Sequence, residues 1–111
     1  DPGNASRQQD LASDLDRLGD VALMQGDPQR ARNLVQQSYA IAAEMAARDP
    51  GNVENQLGLV ASLVRVALYE DDPKLRLREA LAILRALQAE GRLDPGRAGW
   101  IGVIEAQLAA P

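Results

Sequence analysis

The chain has 111 residues, 46% of them hydrophobic, with no Cys, no His, no Phe and a net charge of −4. That suffices for one small domain with a modest core, and it excludes disulfides, cysteine metal sites and the commonest general base. A negative balance with only Trp100, Tyr39 and Tyr69 as aromatics argues against a nucleic-acid binder, which needs a basic footprint and stacking platforms.

In chain order, residues 7–25 read as a first helix. Leu11, Leu15, Leu18 and Ala22 fall at i, i+4, i+7 and i+11, a single apolar stripe at helical spacing expected to face the core, with Asp10, Asp14, Asp16, Arg17 and Asp20 off it. Gly26-Asp27-Pro28 ends this helix and starts the next, Asp27 as N-cap and Pro28 as first helical residue. The second helix is expected from Pro28 to about Arg48, through Ala31, Leu34, Val35, Ser38, Ile41, Ala42 and Met45. Asp49-Pro50-Gly51-Asn52 stops it, because a helix does not pass comfortably through a proline. A third helix, about Val53 to Glu70, is apolar nearly all round (Leu57, Leu59, Val60, Leu63, Val64, Val66, Leu68) and so is expected to be buried on several sides. Asp72-Pro73 restarts the chain as Asp27-Pro28 did, with Glu70-Asp71-Asp72 as a helix end running into an N-cap. The fourth helix carries Leu77, Leu81, Ile83, Leu84 and Leu87 and ends near Gly91. Asp94-Pro95 starts a fifth, through Trp100, Ile101, Ile104 and Leu108. Gly96, Gly99 and Gly102 each cost that helix about 1 kcal/mol relative to Ala, and a close backbone approach to the fourth helix is the expected return.

The chain also repeats itself. Asp1-Pro2-Gly3-Asn4 recurs letter for letter as Asp49-Pro50-Gly51-Asn52, and Asp94-Pro95-Gly96 keeps three of the letters, at spacings of 48 and 45 residues. Shifted by 48, Leu11, Leu15 and Arg17 fall on Leu59, Leu63 and Arg65, and Leu18 falls on Val66. Tyr39-Ala40-Ile41 matches Leu81-Ala82-Ile83 at a shift of 42, which implies a shorter hairpin and a longer second helix in the second unit. Fixed-period similarity is the mark of stacked repeats. The expectation is an all-α chain of five antiparallel helices in one domain: a first repeat over 1–48, a degenerate second over 49–93 and a capping helix over 94–111. A chain that opens at a repeat boundary is expected to be a piece of a longer polypeptide. Eleven Arg against one Lys, with abundant Ala and Gly, hints at a GC-rich bacterial source.

At Leu15-x-x-Leu18-Gly19-x-x-Ala22, followed by Gly26-Asp27 and Ala31-x-x-x-Val35, the first unit resembles a tetratricopeptide repeat. Gly19 and Ala31 stand where that family uses small residues to let its two helices touch. Leu15, Ala22 and Val35 stand where Trp, Tyr and Phe are usual, and the unit is longer than the family's usual repeat, as in an extended class of tetratricopeptide. In the second unit Ala67 replaces the glycine. Units punctuated by Asp-Pro-Gly-Asn look like those of long arrays in large bacterial multidomain proteins. The resemblance implies a right-handed stack of helix pairs, no catalysis and binding of another protein, as a scaffold or sensor segment. A structural cap or self-association module is the alternative.

Enzyme motifs are missing: no phosphate-cradling glycine loop, no nucleophile elbow, no metal-ligand cluster, and no cofactor is expected. Asp16 and Asp20, at i and i+4, fall well short of the roughly six to eight oxygens calcium takes, and read as a solvated face with Arg17 as counterion. In the family the first helix of each unit lines a concave groove. That geometry would put Ser13, Asp16, Arg17, Asp20 and Met24 of the first helix beside Ala61, Val64, Arg65 and Leu68 of the third. An acidic wall next to an apolar one would suit a protein or peptide presenting basic and apolar side chains; coverage of Val64 and Leu68 by the fifth helix, or by a continuation of the chain, would abolish the apolar wall. Residues 28–48 and 74–92 sum to +2 and +3, a basic back containing Arg30, Arg32, Lys74, Arg76, Arg78, Arg85 and Arg92 that reads as solvated surface. No apolar run reaches the ~18 residues of a membrane helix and no signal peptide opens the chain, so a cytoplasmic location without membrane or nucleic-acid partners is expected.

Overall fold

The computed structural model describes residues 2–111, with side chains from Asn4 onward. Five helices follow one another: α1 (Pro2–Met24), α2 (Pro28–Arg48), α3 (Val53–Ala67), α4 (Pro73–Ala89) and α5 (Pro95–Ala109). No strand occurs among the described residues, and no helix among them is long and apolar enough to cross a membrane.

Local chemistry accounts for most of the boundaries. The side chains of Asp27 and Asp94 accept from the backbone N–H three residues on, at 3.1 and 2.9 Å, and Asp72 accepts from that of Lys74 at 3.2 Å. Each is followed by a proline whose missing donor costs nothing in the first turn. Gly26 and Gly91 adopt φ of 77° and 70°, the left-handed conformation that lets the chain fold back over a finished helix. Asp27 N–H then reaches the Ala22 carbonyl and Arg92 N–H the Leu87 carbonyl, both at 2.9 Å, closing the ends of α1 and α4.

Asp-Pro-Gly works in two ways. At Asp94 it opens a helix. At Asp49 it meets a helix that is still running, so Pro50 breaks α2 and the new start passes to Asn52, which accepts from Asn55 N–H at 3.0 Å. α1 already includes Pro2 and passes through Asn4, earlier than the Arg7 expected. At its other end α3 stops at Ala67, short of the expected Glu70. Leu68, Tyr69 and Glu70 bond three residues back instead of four, a tightening imposed as the chain turns toward Asp72-Pro73. The second helix of the second unit is the shorter one, 17 residues in α4 against 21 in α2, the reverse of the expectation from the 42-residue shift.

The helices pack in chain order, α1 on α2, α2 on α3, α3 on α4 and α4 on α5, and short turns make successive helices antiparallel. The result is a flat body of 44 × 41 × 21 Å. Between α1 and α2 the contact is close. Gly19 is buried, and a Cβ on it would lie 3.1 Å from Val35 Cγ2 and 3.6 Å from the Ala31 carbonyl oxygen. Ser38, fully buried, donates its hydroxyl to the Ala12 carbonyl at 3.0 Å, so the one polar side chain at the centre of this interface is satisfied. The main core lies further along, where α3 contributes Leu57, Val60 and Leu63, α4 contributes Leu77 and Leu84, and α5 contributes Ile104. As expected, α3 is buried on several sides.

Two packing expectations fail. Leu15 and Ala22 of the α1 stripe are buried, but Leu11 and Leu18 are 51% and 48% exposed, because α1 has a helix against only part of its apolar arc. The α5 glycines make no close approach to α4: a Cβ on Gly99 or Gly102 would meet nothing within 4 Å, and one on Gly96 would meet only Asp94 Oδ1.

Gly19→Leu should destabilise the chain by roughly 3 kcal/mol, since overpacking forces α1 and α2 apart. Gly58→Ala, at an α3 position where a Cβ meets nothing, should stabilise it by up to about 1 kcal/mol. Urea denaturation followed by circular dichroism measures both.

Candidate binding clefts

The order of packing leaves the first helices of successive units apart. No Cα atoms of α1 and α3, or of α3 and α5, come within 8 Å of each other among the described residues. A cleft opens in each gap.

The cleft between α1 and α3 has a volume of about 420 Å³ and is floored by Ser38, Ala42 and Met45 of α2. Its walls carry three carboxylates, Asp10, Asp16 and Glu54, with Ser13, Asn55 and Ala61, and no Arg or Lys. One oxygen of Asp16 is buried without a hydrogen-bond partner among the described residues. Its other oxygen lies 3.8 Å from Arg65 Nε, while Arg65 Nη1 donates to Asp20 at 2.9 Å. Arg65 is therefore the counterion of the Asp16–Asp20 pair, and ties α3 to α1 across the gap. Arg17, the expected counterion, pairs with Asp14 on the outside of α1.

The cleft between α3 and α5, about 380 Å³, is apolar. Val64 and Leu68 face Trp100, Val103 and Ile104 across it, with Arg65 and Gln107 at the edges. The fifth helix thus forms the second wall and does not cover the first: Leu68 remains 75% exposed, Val103 59% and Trp100 37%. Arg97 of α5 pairs with Glu54 of α3 at 3.1 Å and holds one end of this gap.

Of the residues singled out from the sequence, Ser13, Asp16 and Ala61 line the first cleft, Ala61, Val64, Arg65 and Leu68 line the second, and Asp20 meets Arg65 between them. Arg17 and Met24 line neither cleft, and Met24 projects from the end of α1 at 87% exposure. Sequence reasoning missed Asp10 and Glu54, and took Trp100 and Val103 as parts of a capping helix. The available signal was the triplet Asp94-Pro95-Gly96 itself, which aligns α5 with α1 and α3, the two helices that wall the first cleft.

The basic back is partly neutralised. Arg85 pairs with Glu105 of α5, and Arg92 reaches the Gly51 carbonyl and Glu90. Arg76 does structural work: its Nε donates to Glu70 at 2.8 Å, its Nη1 to the Tyr39 hydroxyl at 3.2 Å, and its guanidinium lies 5.1 Å from the centre of the Tyr39 ring. The Glu70 hydrogen bond holds its pKa above the ordinary arginine value; partial burial acts the other way, and the electrostatic influence of Tyr39 and of the Glu70 and Glu79 carboxylates reinforces the rise. This clamp joins the start of α4 to the turn before it and to α2. Glu79, one turn on, lies 3.6 Å from Arg76.

Among the described residues no group of His, Cys, Asp or Glu is arranged to hold a metal ion. The chain matches no protein-family model, no curated protein and no solved structure.

Arg76→Met should cost about 1 to 2 kcal/mol of stability, because it removes a half-buried ion pair and an aromatic contact together. A double-mutant cycle with Glu70→Gln should return a coupling of roughly 1 kcal/mol, whereas the exposed Arg17–Asp14 pair should return close to zero.

Proposed function

We propose that this chain is a non-catalytic protein-binding module of tetratricopeptide type, a scaffold or sensor segment of a larger bacterial protein, acting in the cytoplasm. One observation carries the reading: an open apolar cleft, walled by Val64, Leu68, Trp100 and Val103, lies beside an acidic one, and the two share Ala61 of α3. Exposed large apolar side chains contiguous with charged ones are features of surfaces that take a partner. The partner is a protein or peptide whose apolar side chains enter the α3–α5 cleft and whose basic side chain meets Asp10 and Asp16. An acidic peptide is disfavoured, since the α1–α3 walls carry carboxylates and no Arg or Lys. The tetratricopeptide assignment rests on Leu18-Gly19, Ala22, Ala31 and Val35, and is supported by Val35 seated on Gly19. The bacterial setting rests on composition and on the Asp-Pro-Gly-Asn punctuation.

Trp100 is the single tryptophan and lines the apolar cleft, so its emission reports occupancy. Titration with a helical peptide carrying leucine and lysine on one face should shift that emission saturably. The same peptide with glutamate for lysine should leave it unchanged. Leu68→Glu, at an exposed position, should weaken the basic peptide about tenfold or more without loss of helicity. Equal responses to both peptides, or to neither, would remove the proposal.

A further inference from the structure

We infer that the two clefts are one bipartite site, and that its occupant is a single amphipathic helix of the partner crossing α3 obliquely over Gly58 and Ala61. The inference rests on the protein-binding reading above and adds the shape and spacing of what binds. Its ground is the offset between the clefts. The acidic one meets α3 from Glu54 to Ser62, the apolar one from Val60 to Leu68. Their centres are displaced along α3 by about six residues, or ~9 Å of helix rise. They also open on opposite flanks of α3, one toward α1 and one toward α5, which adds roughly one helix diameter, ~10 Å. The path from centre to centre is therefore a diagonal of about 13 Å.

The ridge of α3 is low along that path. Glu54, Gly58, Ala61, Arg65 and Leu68 fall at i, i+4, i+7, i+11 and i+14, one face of the helix. Where the diagonal crosses it, that face carries only a hydrogen and a methyl group. Gly58 and Ala61 are both exposed, and a Cβ on Gly58 would meet nothing within 4 Å. Charge distinguishes the two ends of the path. No Arg or Lys lines the acidic cleft, and Asp16 Oδ1 has no hydrogen-bond partner among the described residues. Asp16 Oδ2 stands 3.8 Å from Arg65 Nε, too far for a hydrogen bond. At the other end Leu68 and Val103 offer exposed apolar surface. An occupant complementary to both carries a basic side chain at one end of its contact face and large apolar ones at the other.

Backbone chemistry selects a helix for this occupant. With no strand among the described residues there is no sheet edge to pair with. An extended segment would lay its backbone donors and acceptors against Gly58 and Ala61 without partners. A helix satisfies its own, and residues this small let two helix axes approach to about 8 Å. Residues seven or eight apart lie on one helix face and are separated by ~11 to 12 Å, the same-face spacing that best matches the path. The partner helix thus places its basic residue seven or eight positions from its apolar anchor.

Peptide titrations followed by Trp100 emission test this. Helical peptides of one composition carry a leucine anchor with lysine either seven or three residues away, each made in both chain directions. In one direction or the other, the seven-residue spacing should bind about tenfold or more tighter than the three-residue spacing. A proline midway between the two, which forbids the helix, should abolish that difference. Gly58 lines the acidic cleft and not the apolar one, so Gly58→Gln should weaken the seven-residue peptide about tenfold. The same variant should keep its helical circular dichroism and bind a leucine peptide without lysine as the wild type does. Equal affinity for both spacings, undiminished binding of the proline peptide, or no effect of Gly58→Gln would overturn the crossing helix. Each of those results leaves the preference for a basic over an acidic peptide standing. Emission that shifts with the protein's own concentration would give the groove to a second copy and likewise overturn the inference. Failure of every lysine peptide to bind would remove both readings.

Discussion

The separation of α1, α3 and α5 governs the rest of the molecule. Each of these helices packs on the helix between it and the next, and none touches another of its own kind backbone to backbone. Small residues set how close each pair comes: Gly19 and Ala31 between α1 and α2, Ala67 and Ala80 where α3 meets α4. A helix pair drawn together on one side is necessarily spread on the other, and the spread side is where both clefts open. With no Phe and few aromatics, there is little bulk to fill those gaps. They are spanned by ion pairs instead, Arg65 to Asp16 and Asp20 across one and Arg97 to Glu54 across the other.

That substitution matters for energetics. Exposed or half-exposed ion pairs contribute little to stability, typically about 1 kcal/mol or less, so the width of each cleft is weakly enforced compared with the packing of each hairpin. The α3–α5 cleft depends on Ile104, which seats α5 in the main core. The α1–α3 cleft depends on Arg65 and on the floor that α2 provides.

Much of the fold was legible because the punctuation is chemical. Proline and an Asp or Asn cap act within one turn, so α2 could be bounded to the residue from Pro28 and Asp49-Pro50 alone. The first turn of α1 was missed because Pro2, Gly3 and Asn4 read as turn residues, and proline is tolerated in a first helical turn. The end of α3 was missed because a switch from four-residue to three-residue hydrogen bonding leaves no mark in the apolar pattern. Periodicity tells which face of a helix is apolar. It does not tell how many neighbours that face will find, and so Leu11 and Leu18 were assigned to a core that does not reach them. The candidate site was half legible for a similar reason. Residues on one helix can be grouped by spacing, as Asp16 and Asp20 were, but the pairing of Arg65 with them spans 45 residues and depends on the width of a gap. The roles of Trp100 and Val103 follow only once α5 is recognised as a wall.

The strictly sequential packing also determines how the chain comes apart and together. Every interface joins neighbours in the chain, so each can form by closing a short loop, and the entropic barrier to folding is low for a chain of this length. Protection of backbone amides against hydrogen exchange should accordingly be graded along the molecule instead of uniform. It should be deepest in α3 and α4, where the buried leucines concentrate, and should fall away toward both ends. The helices that undock most readily are then α1 and α5, and each is one wall of a cleft. Partner binding at either cleft would draw on the least stable part of the fold, and an occupied cleft would feed its binding free energy directly into the docking of a terminal helix.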